Sequence, residues 1–110
     1  MRFRVYSGLI TGETEVFVVT IEYKVDLSQV EPHISAHMKY IEEYYQAGHF
    51  LLSGRKQPRT GGVILAKAES MAQMQAIVAE DPFFKADIAD FEIIEFIASN
   101  SSAELAGFRE

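Results

Sequence analysis

The punctuation of this chain constrains its fold more than any other feature. Gly48, Gly54, the Gly61-Gly62 pair and Asp81-Pro82 cut the central 80 or so residues into segments of alternating character. Residues 16–23 (VFVVTIEY) are β-branched and aromatic and read as a strand. The nearly unbroken apolar start of that segment marks a central strand covered on both faces. Residues 26–31 read as a connection, with Pro32 at the first turn of a helix, where its missing N–H costs nothing. That helix is expected to run to about Ala47 and stop at Gly48, which suits the left-handed position after a helix. Ile34, Met38, Ile41 and Tyr45, at spacings of 4, 3 and 4, are its predicted apolar face.

Residues 50–54 and 63–68 read as two further strands joined by a polar connection containing Pro58 and Gly61-Gly62. Ser70 is the predicted cap of a second helix with Met71, Met74, Ile77 and Val78 as its buried stripe. Asp81-Pro82 ends it, because the residue before proline avoids helical geometry. Residues 91–97 alternate weakly and supply the last strand. The order strand, helix, strand, strand, helix, strand predicts an α+β fold: a ferredoxin-like βαββαβ unit, with an antiparallel sheet carrying both helices on one face. Residues 16–98 form this domain. Residues 1–15 read as an N-terminal extension, with a short strand over 3–6, and residues 99–110 as a polar tail in which Leu105 and Phe108 are the docking candidates.

Composition narrows the function classes. At 110 residues there is room for one domain, and 48% hydrophobic residues give it a core rather than a disordered ensemble. A net charge of −6 with scattered Lys and Arg argues against a phosphate-backbone partner, so no nucleic acid is expected. The absence of cysteine removes disulfides, thiolate nucleophiles and Cys-based zinc sites. No apolar run approaches the roughly 20 residues that span a bilayer. Nor does the basic start Met1-Arg2-Phe3-Arg4 lead into an apolar stretch of the secretory type. No membrane association is expected, and the cytoplasm is the expected location. No glycine pattern for a dinucleotide or phosphate loop occurs, so no organic cofactor is implied.

His33 and His37 lie one helical turn apart, and at 100° per residue Tyr40 and Tyr44 fall on the same stripe. This flank is read as lining a pocket, with the tyrosines against an aromatic ligand. His37 fits a general acid/base, because an imidazole titrates near working pH. Its plain alternative is a half-buried packing residue, with Asp81 a helix-terminating turn residue. A metal reading finds only two helical histidines and no His-Glu-x-x-His glutamate, so no metal site is assigned. Arg55, Lys56 and Arg59 form the one basic patch. Arg55 and Arg59 could hold a substrate's negative charge, or could simply be solvated. Ser53 is a candidate hydrogen-bond donor in the same pocket.

His37 in the first helix, Gly48 eleven positions later, the strand ending Ser53-Gly54, Gly61-Gly62, Ser70 and Asp81-Pro82-Phe83 together resemble the YCII-related family over residues 16–97. The resemblance implies a ferredoxin-like fold of the dimeric α/β-barrel type, a homodimer, and a His–Asp pair carried by His37 and Asp81. Dehalogenating and lyase-type steps in aromatic breakdown are known for a few members. It therefore implies a small-molecule enzyme moving protons on a cyclic or aromatic acid, of lyase or isomerase type. Two other readings stay open from the residues alone: a module that retains a small metabolite without turnover, and a purely structural dimer.

Overall fold

A computed structural model describes residues 4–6 and 15–109. Five strands form one sheet: β1 (Arg4–Tyr6), β2 (Glu15–Tyr23), β3 (Phe50–Arg55), β4 (Gly61–Ala68) and β5 (Ala89–Phe96), in the order β1-β5-β2-β4-β3. The four strands β2 to β5 are antiparallel, and they give the ferredoxin-like arrangement that the element order predicts. β1 adds a parallel edge strand, with Val5 opposite Ile93. It coincides with the described part of the strand expected over residues 3–6. Phe3 and most of the predicted extension lie outside the described residues.

Odd positions of β2 and β5 and even positions of β4 point to the helical face, as a period of two requires. Phe17, Val19, Ile64, Ala66, Phe91 and Ile93 are buried there, and β5 alternates strictly between buried and less buried positions. This face is covered by α1 (Leu27–Gln46), α2 (Met71–Ala79) and a four-residue helix, α3 (Pro82–Lys85).

Helix α1 corrects two expectations. It starts at Leu27, so residues 27–31 are helix and Pro32 sits in the second turn. Pro32 and Ser28 are both exposed, so the Ser28 carbonyl that loses its donor is left to water. The added turn buries Val30 completely, a gain of the order of 2 kcal/mol that offsets much of the proline penalty. The inward stripe is also rotated. Val30, Tyr40 and Ile41 are buried and Ile34 and Tyr44 partly so, while Met38 (55% exposed) and Tyr45 (36%) face outward. The helix ends where expected, with Gly48 at φ 86°.

The second helix matches its signals. Ser70 Oγ accepts from Gln73 N–H at 3.1 Å, and Met74, Ile77 and Val78 are buried. After β5, a 3-10 helix (Ala103–Phe108) brings the Phe108 ring 5.7 Å from the Lys67 ammonium, whereas Leu105 stays exposed. No helix among the described residues is long and apolar enough to cross a membrane.

Candidate active site

The site begins with the way α2 ends. Asp81 precedes proline and is extended (φ −66°, ψ 126°), which turns its side chain onto the start of α3. There Oδ1 accepts the Phe83 N–H at 2.9 Å, with Pro82 at the first helical position, where no donor is needed. The same Oδ1 lies 2.8 Å from His37 Nδ1 on α1. The Asp81 side chain is 1% exposed and that of His37 13%. Oδ2 is buried and has no partner among the described residues, so the carboxylate's hydrogen bonding is concentrated on one oxygen.

A carboxylate can only accept, so Nδ1 carries the proton and donates it to Asp81. That tautomer leaves the lone pair on Nε2, which has no partner among the described residues. The imidazole also lies flat on Phe83, with ring centroids 3.9 Å apart and planes within 7°. Tyr23 meets the Phe83 ring edge-on at 5.8 Å.

His37 forms part of the wall of a cleft of about 300 Å³ between α1 and the β3–β4 hairpin. That volume suits a single-ring metabolite. Ile21, Ile34, Ile41, Ile64 and Phe83 give it an apolar floor, and Met38 stands at its mouth. Ser53, Gly54, Arg55 and Arg59 form the opposite rim. The hairpin is tied down by Tyr23 N–H to Thr60 O (2.9 Å) and Lys56 N–H to Gly61 O (2.9 Å), which carries Arg59 back over the cleft. Neither arginine has an acidic partner among the described residues, so the rim is a positive edge on a chain of net charge −6. Ser53 Oγ shares a hydrogen bond of 2.6 Å with Tyr45 Oη, which joins β3 to α1.

Of the residues singled out in the sequence, His37, Ser53, Arg55 and Arg59 line this cleft, and Asp81 stands behind His37. His33, Tyr40 and Tyr44 do not line it. Tyr40 is core: its Oη donates to the Ile77 carbonyl at 2.8 Å and its ring meets Phe50 at 5.8 Å. Burial, with Asp81 nearby, pushes its phenol well above the ordinary tyrosine range. Tyr44 packs on Phe50 at 5.4 Å and near His49 at 6.2 Å. The stripe is real, but it points between α1 and the α2–α3 corner, so only His37 reaches the cleft. Phe83 and Tyr23 are the residues sequence reasoning missed. The Asp-Pro-Phe order did carry a signal for Phe83, since an N-cap aspartate accepts from the second or third helical N–H and Phe83 is the second.

The profile of the YCII-related domain matches residues 16–97. No curated protein matches the chain by sequence. Among solved structures, the chain is similar to 5-chloro-2-hydroxyhydroquinone dehydrochlorinase from Burkholderia phenoliruptrix AC1100, in complex with 2,5-dihydroxybenzoquinone. That likeness has a TM-score of 0.62 at 21% identity, and covers 71% of this chain and 89% of that one. At that identity it speaks for the fold.

Proposed function

The chain belongs to the YCII-related family, and from that membership we propose that it is a small-molecule enzyme in which His37 transfers protons on a cyclic or aromatic acid. The observation that carries this reading is the 2.8 Å bond from His37 Nδ1–H to Asp81, which leaves Nε2 as the free base of a histidine that lines the cleft. In this reading Nε2 takes a proton from a carbon activated by a neighbouring carbonyl. Asp81 stabilises the imidazolium that forms and keeps the neutral ring in the Nδ1–H tautomer. Returning the proton to a different carbon completes an isomerisation; expelling an anionic leaving group from the adjacent carbon completes an elimination. Arg55 and Arg59 hold the substrate's carboxylate at the rim, a role suited to guanidinium groups without internal counter-ions. Ser53 is a polar contact at the same rim. The structural neighbour is named for a dehydrochlorination and was solved with a ring-sized quinone, which agrees with an elimination in a cleft of this size.

We also propose that the working unit is a homodimer. The sheet face opposite the helices exposes Leu52 (68%), Val63 (38%), Ile94 (36%) and Phe96 (39%). The cross-strand pairs Leu52–Leu65, Val18–Leu65 and Val18–Ile94 make that face continuous across four strands. An apolar sheet face of this kind is an interface in the absence of a covering layer.

The test is carbon–deuterium exchange. Cyclic and aromatic hydroxy and keto acids are incubated in D2O with wild type and with His37→Gln. Exchange at a ring or α-carbon by wild type alone is the expected result. Equal exchange by both proteins, or by neither across the panel, overturns the assignment.

A further inference from the structure

We infer that Phe83 is a positioning residue for the His37–Asp81 pair, holding both partners at once through two different parts of itself. The inference rests on the reading of His37 as the base, but it concerns the geometry of the pair and is read without turnover.

Phe83 touches each partner of the pair. The Phe83 N–H holds Asp81 Oδ1 at 2.9 Å, and that oxygen is the one His37 uses. The Phe83 ring holds the imidazole plane, at 3.9 Å and 7°. A single hydrogen bond at Nδ1 fixes one atom of the imidazole but leaves its plane some freedom to tilt about that contact, because the χ2 wells of histidine are broad. The flat face of Phe83 closes that freedom. Phe83 is itself braced, at 2% exposure, by the edge-on ring of Tyr23. Any shift of the short helix α3 therefore moves the donor to Asp81 and the support of His37 together, and the direction of Nε2 is inherited from one residue.

The stack also bears on the tautomer. An imidazole free to turn relaxes toward the Nε2–H form that free histidine favours, which would remove the lone pair from the cleft. A stacked aromatic contact is strong enough to resist this, since stacked pairs are worth about 0.5–1.5 kcal/mol, a ratio of roughly two- to tenfold.

The experiment is 15N NMR of the imidazoles at alkaline pH, where the rings are neutral, on wild type, Phe83→Leu, Phe83→Tyr and Phe91→Leu. All variants keep the residue-83 N–H, so the bond to Asp81 is not removed directly. Phe91 is a buried aromatic of the same core, stacked edge-on to Phe84 at 5.5 Å, and controls for general loosening. Wild type is expected to show one His37 tautomer, protonated at Nδ1. In Phe83→Leu the Nδ1–H to Nε2–H ratio should fall by roughly two- to tenfold, following the value of the stack. Phe83→Tyr should restore the ratio, and Phe91→Leu should leave it unchanged.

A Phe83→Leu protein that keeps the wild-type ratio overturns the inference, as does a Phe91→Leu protein that loses it equally. Should Phe83→Leu fail to fold, wild type alone still decides. The ring protons of His37 must then lie upfield of those of His33 through the Phe83 ring current, and coincident shifts overturn the inference. Failure of the base assignment would appear differently, as a correct tautomer in wild type with no deuterium exchange.

Discussion

His37 and Asp81 lie 44 positions apart and meet at 2.8 Å between Nδ1 and Oδ1, one on a long helix and the other at the break between two short ones. The carboxylate is buried and already bonded to a backbone N–H, so its position is set before the histidine is considered. In Asp81→Asn, the remaining oxygen can still cap α3 while the negative charge is lost. Turnover of any substrate found by exchange should fall about 10²- to 10⁴-fold, the range for loss of an oriented acid/base. Thermal unfolding should report a loss of about 1–3 kcal/mol for the charge-assisted bonds. A folded Asp81→Asn enzyme with full turnover would separate the pair from the chemistry.

Tyr40 supplies a pH test. Its phenol is held above the ordinary tyrosine value of about 10 by burial first and by the nearby Asp81 second. A raised pKa in the folded state means that the native protein keeps this proton after the unfolded chain has lost it. The stability contributed is therefore complete below pH 10 and declines as pH rises toward the folded value, by up to about 1.4 kcal/mol per pH unit. Urea midpoints measured from neutral to strongly alkaline pH should show this decline in wild type and a smaller one in Tyr40→Phe. At neutral pH the Phe variant should lose about 1–2 kcal/mol, because the buried Ile77 carbonyl gives up its extra donor.

Gly61 is required by close approach. A Cβ there would lie 1.8 Å from the Ile21 carbonyl oxygen, a backbone atom of the neighbouring strand that cannot rotate away. Gly61→Ala should force β4 from β2 at the base of the hairpin that carries Arg59. A loss of about 3 kcal/mol or more is expected, together with weaker ligand binding. A thermal scan with no change in midpoint would contradict this packing.

The arginine rim predicts a selective effect. Replacing Arg55 and Arg59 together by Gln should weaken a carboxylated ring ligand by about 10- to 100-fold, in line with two charge-assisted contacts at a partly exposed site. The matching amide or ester should bind equally to wild type and variant. Calorimetry with both ligand forms distinguishes anion recognition from general damage, which would weaken both.

The open sheet face predicts the assembly. Phe96→Glu places a charge on the proposed apolar interface at an exposed position, so the fold should survive and the dimer should not. Light scattering should show wild type at twice the 12.4 kDa of one chain and the variant at that mass. A monomeric wild type would remove the homodimer from the proposal.

Much of the fold was legible because its causes are local. The β-branched run of β2, the Ser70 cap, the left-handed stop at Gly48 and the proline after Asp81 each act within a few residues of themselves, so their order yields the βαββαβ arrangement. The rotation of α1 was not legible, since Met38 and Ile34 are equally apolar in sequence. Only the positions of the hairpin and of the α2–α3 corner decide which of them is covered. The same nonlocal packing kept Pro32 inside the helix, where the burial of Val30 favoured an extra turn. It also separated His37, on the cleft, from His33, Tyr40 and Tyr44 on the same stripe.

The sequence by itself determined the order of the four main strands and two main helices, the alternation that fills the core, and the helix stop at Asp81-Pro82. Those depend on backbone propensity and on hydrophobic period. That Asp81 also caps a further short helix came from the structure. The tertiary structure alone decided that the capping oxygen of Asp81 would also receive His37, that Phe83 would lie flat beneath the imidazole, and that two arginines would face them across a cleft. Those relations join residues tens of positions apart, and no local preference specifies a distance between them.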